Sequence, residues 1–215
     1  MKKVLLLLLC AALFIVGLTG CANKNKPAAN PISDFEYVID GDNVTIIKYI
    51  GTGENVIIPA QIEDKNVTAI GRESFAECTS LTKIIIPDSV EIIDFLAFAR
   101  NNLTELIIPD SVKIISARAF EYSNLLTKII LSKNITVIDF FTFLDCPLLT
   151  SLIIPDGVTE IRGGAFRGCY SLADLTLPDS VIFIADEAFA QCDSITGETR
   201  EKILRINPKA FDDTL

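Results

Sequence analysis

A phenylalanine returns through most of this chain at a nearly constant interval. Phe75, Phe98, Phe120, Phe143, Phe166, Phe189 and Phe211 follow one another at spacings of 23, 22, 23, 23, 23 and 22 residues. A period of that length implies a solenoid, because each unit is too small to bury its own apolar side and must stack on the next. Eleven residues before the Phe stands Pro87, Pro109, Pro155 or Pro178, with Ser132 in their place once. Pro59 lies further back from Phe75 because residues 60–66 are an insertion in that copy. Three residues after the Phe come Cys78, Asn101, Ser123, Cys146, Cys169 and Cys192.

The consensus is Leu-Thr-x-Leu/Ile-x-Ile-Pro-Asp-Ser-Val-x-x-Ile-x-x-x-Ala-Phe-x-x-Cys-x-x, clearest in residues 149–172. Strand side chains alternate between faces, so its Leu-x-x-Ile-x-Ile segment turns large aliphatics to one side. Proline cannot donate to a strand ladder and fits where the strand ends. The Asp that follows (Asp88, Asp110, Asp156, Asp179) makes the turn. Val90 and Ile93, Val112 and Ile115, and Val158 and Ile161 then return inward, with the Phe column filling the far side. Asp40-Gly41-Asp42-Asn43 between two apolar alternating runs is a hairpin signal. Residues 196–206 lose the strand pattern and read as helix, before a last half-repeat ending at Phe211.

This consensus resembles the BspA-like, or type 5, leucine-rich repeat of bacterial surface proteins, over about residues 56–212. The resemblance implies a β-rich solenoid, a right-handed coil of about seven 22–23-residue repeats. It divides the chain into an N-terminal β cap (34–58), a leucine-rich-repeat solenoid (59–195) and a short helical C-terminal cap (196–215).

The first 21 residues read as an export signal. Lys2 and Lys3 form a basic start, Val4 to Val16 is almost wholly apolar, and a small-residue site follows. The run is shorter than the ~20 apolar residues a membrane-spanning helix needs. Leu18-Thr19-Gly20-Cys21 resembles the bacterial lipobox, which implies that Cys21 is diacylated and becomes the N-terminus. Two acyl chains meet the condition for stable anchoring. Residue 22 is Ala, not the Asp that marks inner-membrane retention, so export to the cell surface or outer membrane is the expectation. Residues 22–33, polar and with two prolines, read as a flexible tether.

Composition narrows the chemistry. The chain has no histidine, which removes Ser-His-Asp and Cys-His nucleophiles and His-ligated metals. Loss of Lys2 and Lys3, with no acid before residue 22, takes the net charge from −9 to −11. Clustered Lys and Arg for a phosphate backbone are therefore not expected, and neither is a nucleic-acid partner. The segment around Gly51 and Gly53 lacks the lysine of a phosphate loop. The Asp column recurs as turn chemistry, whereas a catalytic pair would be unique. Cys78, Cys146, Cys169 and Cys192 read as a buried ladder of small thiols. Cys169 could bridge to Cys146 or to Cys192 but not to both, which argues against a disulfide framework, and a linear ladder does not converge on a metal. The expectation is a protein with no enzymatic role, cofactor or metal.

The residues between the inward strand positions point outward: Lys83 and Ile85, Glu105 and Ile107, Lys128 and Ile130, Ser151 and Ile153, Asp174 and Thr176. An aliphatic column beside a mixed-charge column marks a partner surface. The functional expectation is a lipid-anchored binding module with a protein or glycan ligand, engaged in adhesion or partner recognition. The alternative is a periplasmic or envelope scaffold with no external ligand.

Overall fold

The computed structural model describes residues 28–214. The expected signal segment, Cys21 and the first part of the tether lie outside the described residues. The chain is a β-solenoid of about six turns closed by one short helix.

It begins with an antiparallel hairpin, β1 (Phe35–Asp40) and β2 (Asn43–Tyr49), turned at Gly41 with φ +60. Strand β3 (Asn55–Ile57) follows. The insertion then folds into a second hairpin, β4 (Gln61–Ile62) against β5 (Lys65–Ile70), whose Glu63 and Asp64 both take positive φ. Both central residues at positive φ match the twist of a two-residue hairpin, so the extra residues fit without breaking the stack. Each later coil contributes a three-residue strand on one side and a two-residue strand on another. They are β6 (Lys83–Ile85) and β7 (Ile92–Ile93), β8 (Glu105–Ile107) and β9 (Ile114–Ile115), β10 (Lys128–Ile130) and β11 (Val137–Ile138), β12 (Ser151–Ile153) and β13 (Glu160–Ile161), β14 (Asp174–Thr176) and β15 (Phe183–Ile184). Strands of successive coils run parallel, and helix α1 (Gly197–Ile206) ends the array.

The core is a set of columns. Val90, Ile93, Val112, Ile115, Val158 and Ile161 are buried as the pattern predicts. Phe75, Phe98, Phe120, Phe143, Phe166 and Phe189 stack with ring centroids 5.1–5.7 Å apart. Tyr49 of the hairpin continues the stack below Phe75 at 5.4 Å, and Phe211 closes it above Phe189 at 5.7 Å.

Backbone bonds run beside the rings. The N–H of Phe98, Phe120, Phe143 and Phe166 donates to residue 119, 142, 165 or 188 of the next coil at 2.8–3.0 Å. Two turns per coil aim further N–H groups the same way. Residues two before the Phe (Glu73, Leu96, Arg118, Phe141, Glu187) and two after it (Glu77, Arg100, Tyr122, Asp145, Gln191) hold φ between +51 and +61. Such backbone is sparsely populated by side-chain-bearing residues, and here it lets buried N–H groups find carbonyls. In one copy both positions are glycine. A Cβ on Gly164 would lie 2.2 Å from the Phe141 ring, and one on Gly168 2.1 Å from Asp145 Oδ1.

The thiol ladder has a polar purpose. Ser123 Oγ, Cys146 Sγ, Cys169 Sγ and Cys192 Sγ donate to the carbonyls of Phe98, Phe120, Phe143 and Phe166, at 3.4, 3.3, 3.2 and 2.9 Å. A small donor fits where a larger side chain would push coils apart. The four described cysteines are free thiols.

At both ends of the flank built from the three-residue strands, polar groups from outside the sheet satisfy the edge strand. Asn30 donates its N–H to Ile57 O at 2.9 Å, and its Oδ1 accepts from Ile57 N at 2.8 Å. Part of the segment expected as tether is thus fixed to the outer edge of β3. At the other end Thr199 Oγ1 and Lys202 Nζ of α1 donate to Leu175 O and Leu177 O at 3.2 and 2.9 Å.

The ring stack should dominate stability. Phe143→Ala, in the middle, is expected to destabilise by about 3–5 kcal/mol, with Phe211→Ala, half-buried at the end, losing clearly less. Guanidinium titration followed by circular dichroism checks the ranking; equal losses would contradict it. Gly164→Ala should destabilise by about 1–3 kcal/mol, because the Phe141 ring has to move; thermal denaturation of that variant tests this.

Candidate partner-binding face

Strands β3, β6, β8, β10, β12 and β14 form one flank of the solenoid. In β6, β8, β10 and β14 the middle residue is buried and its two neighbours are exposed; in β12 Ser151 is half-buried. All ten residues expected on the outer face lie there. Ile85, Ile107, Ile130 and Ile153 are 39, 66, 48 and 71% exposed, forming an apolar column one coil apart. Lys83, Glu105, Lys128 and Asp174 run beside them, and none of these four is in an ion pair among the described residues.

The face has one strand more than the sequence reading assigned to it. Strand β3, inside the segment 34–58 expected as a cap, pairs parallel with β6 and aligns Asn55 with Lys83 and Ile57 with Ile85. The insertion hid it by stretching that spacing to 28 residues. Val56-Ile57-Ile58-Pro59 carried the signal, since it repeats Ile84-Ile85-Ile86-Pro87.

The face is not uniform. Full ladders join β3 to β6, β8 to β10 and β12 to β14. Between β6 and β8 there is no ladder, and β10 meets β12 through the single pair Lys128 and Ser151. The bonds at the strand starts alternate likewise. Thr82 N to Glu54 O and Thr127 N to Thr104 O are 2.9 Å, whereas Thr104 N to Thr82 O and Thr150 N to Thr127 O open to 3.5 and 3.4 Å. A cleft lies at each loosened joint. One of about 590 Å³ is lined by Ile84, Ile85, Ile86, Leu106 and Ile107. The other, about 550 Å³, is lined by Ile129, Ile130, Leu131, Leu152 and Ile153. Two strand spacings, about 10 Å, separate them.

The rim is charged. Lys133 Nζ stands 2.6 Å from Asp110, and the hydrogen bond it donates holds the Asp110 carboxyl below its ordinary range. Lys202 does the same for Asp179. Asp179 is fully open to water and Asp110 about half exposed, so salt screens these pairs. The Asp column otherwise serves the turns. Burial pushes the Cys169 thiol well up, which keeps it protonated and unreactive. Among the described residues no three His, Cys, Asp or Glu converge on a metal position, and no helix is long and apolar enough to cross a membrane.

A family model described as "BspA type Leucine rich repeat region (6 copies)" matches residues 54–163 and 136–214. A leucine-rich-repeat protein of T. pallidum shares the fold at TM-score 0.69 and 24% identity, over 84% of this chain and 96% of its own. A leucine-rich-repeat protein of Eubacterium ventriosum does so at TM-score 0.63 and 20% identity, over 81% of this chain and 46% of its own. No curated protein matches the chain.

The rim electrostatics can be read by NMR titration of the Asp110 carboxyl. Its midpoint should lie below the ordinary aspartate value and rise toward it in Lys133→Ala. An unmoved midpoint would show that the contact does not persist in solution.

Proposed function

The chain belongs to the BspA-type leucine-rich repeat family, and from that premise we propose that it is a surface-displayed protein-interaction module whose strand face receives its partner. Proteins of this family are generally surface-associated, and leucine-rich-repeat proteins typically serve as non-enzymatic binding scaffolds. The observation that carries the reading is the pair of apolar clefts in an otherwise regular sheet. Interface energy concentrates where an apolar side chain enters a desolvated pocket surrounded by polar rim. Ile85 and Ile107 flank one such pocket, Ile130 and Ile153 the other. A protein segment bearing two apolar side chains about 10 Å apart would fill both.

The lipid anchor is part of the same proposal, on the strength of Leu18-Thr19-Gly20-Cys21. The described chain starts beside β3, so an anchor on Cys21 would tether the array by its first coil. Adhesion is then the cellular role, with an external protein held against the strand face and the mixed charges of Lys83, Glu105 and Lys128 selecting among candidates.

The test is a variant carrying Ile85→Ser, Ile107→Ser and Ile130→Ser, compared with the parent for binding to purified extracellular proteins by surface plasmon resonance. The three side chains are 39–66% exposed, so stability should change by about 0.5 kcal/mol each. Binding should weaken at least tenfold, while the denaturation midpoint shifts only modestly and the variant stays folded at the assay temperature. Binding that survives all three changes would remove the strand face as the site.

A further inference from the structure

One coil is a residue short, and the shortage leaves a notch outside the strand face. From the Phe to the next inward leucine or isoleucine is six residues in five copies: 75 to 81, 120 to 126, 143 to 149, 166 to 172 and 189 to 195. From Phe98 to Leu103 it is five. Where the other copies place two residues after the small donor, this one has only Asn102. Asn101 takes the donor position, buried, and closes the shortened loop itself: its amide donates to Phe98 O while its Oδ1 accepts from Leu103 N at 3.0 Å. The loops of the flanking coils keep full length and stand proud on either side. Between them is an open cavity of about 420 Å³, floored by Asn101 and Asn102 and walled by Thr79, Arg100, Tyr122 and Asn124.

We propose that this notch is a binding site for a neutral saccharide. Its walls stand two coils apart, about 10 Å, a width that admits one sugar ring edge-on. Its volume falls in the ordinary range of small-molecule sites. Its chemistry is that of amides, hydroxyls and one aromatic ring. Asn102 Nδ2 is committed to Thr79 O at 2.7 Å, which fixes that side chain and leaves its Oδ1 open as an acceptor. The hydroxyls of Thr79 and Tyr122 and the side-chain amide of Asn124 make no hydrogen bond among the described residues, so they are available to ligand hydroxyls. The Tyr122 ring offers an apolar surface to the C–H face of a sugar, with the Arg100 guanidinium 5.2 Å from its centroid. Neutrality follows from the local charge. Arg100 lies 3.7 Å from Glu77 and 3.6 Å from Glu121, and Arg118 lies 2.8 Å from Glu121, so two cations answer two anions and none is left for a charged ligand.

The experiment is binding of the full described chain to an array of neutral oligosaccharides built from hexose and N-acetylhexosamine units, with acidic oligosaccharides alongside. One variant inserts a serine between Asn101 and Asn102, restoring the loop length of the other copies and filling the notch. A second carries Thr79→Ala and Asn124→Ala, both exposed, so its fold is not at stake. The parent should bind a neutral oligosaccharide. Each variant should weaken that binding about tenfold or more, the loss expected from two ligand hydrogen bonds. The strand-face variant should bind the sugar as the parent does. The proposal is overturned if no neutral oligosaccharide binds, if only acidic ones do, or if Thr79→Ala with Asn124→Ala leaves binding intact. Loss confined to the strand-face variant would overturn it too, by assigning the sugar to the other site.

Discussion

The rest of this molecule depends on the contact between one phenylalanine and the next. Ring centroids lie 5.1–5.7 Å apart with planes within 25° of parallel, as in offset stacking. That is the preferred parallel arrangement of aromatic pairs. Beside it each Phe N–H reaches the coil above. Rings and backbone together set the rise per coil, and every other column inherits it: the aliphatic pairs inside, the thiol and hydroxyl donors, the turn aspartates outside. The left-handed residues on either side of the Phe belong to the same device, because without them those N–H groups would be buried with no acceptor.

Because that flank holds the coils together, the strand flank is free to be irregular. Its ladder is complete at three joints and loosened at two, while the aromatic stack runs through without a break. An apolar cleft lies at each loosened joint, flanked by the exposed Ile85 and Ile107 at one and Ile130 and Ile153 at the other. Repeat architecture allows this division. Periodic positions are constrained by the neighbour above and below, and departures from the period can be spent on recognition. The short loop at Asn101 and Asn102 is a second departure, on a different flank and with different chemistry.

Much of this was legible in the sequence, for physical reasons. The Phe period, the inward aliphatics and the outward Lys83 to Thr176 positions follow from alternation along a strand and from the need to stack, and the structure places each where that logic puts it. Strand β3 escapes the period because the β4–β5 hairpin interrupts the repeat without interrupting the stack. Asn30 leaves no periodic trace, because a single residue satisfies the edge of β3 with its backbone N–H and side-chain Oδ1. The left-handed turns were visible only through Gly164 and Gly168, since ten other residues adopt the same backbone without glycine. The alternating ladder had no sequence signal: Thr127 N to Thr104 O is 2.9 Å and Thr104 N to Thr82 O 3.5 Å, a difference between bonds that join the same residue types. The notch was present in the sequence as five residues from Phe98 to Leu103 where the other copies have six, but a length change says nothing of which side chains it brings together.

The account centres on display of the solenoid to the outside of the cell, in place of service as an internal envelope scaffold. Protease shaving of intact cells, followed by mass spectrometry of peptides from residues 28–214, tests that directly. Display predicts that these peptides are released from unbroken cells, with cuts at exposed turns such as those at Asp88 and Asp156. Full protection in intact cells, with cleavage only after lysis, would contradict it and leave the scaffold reading standing.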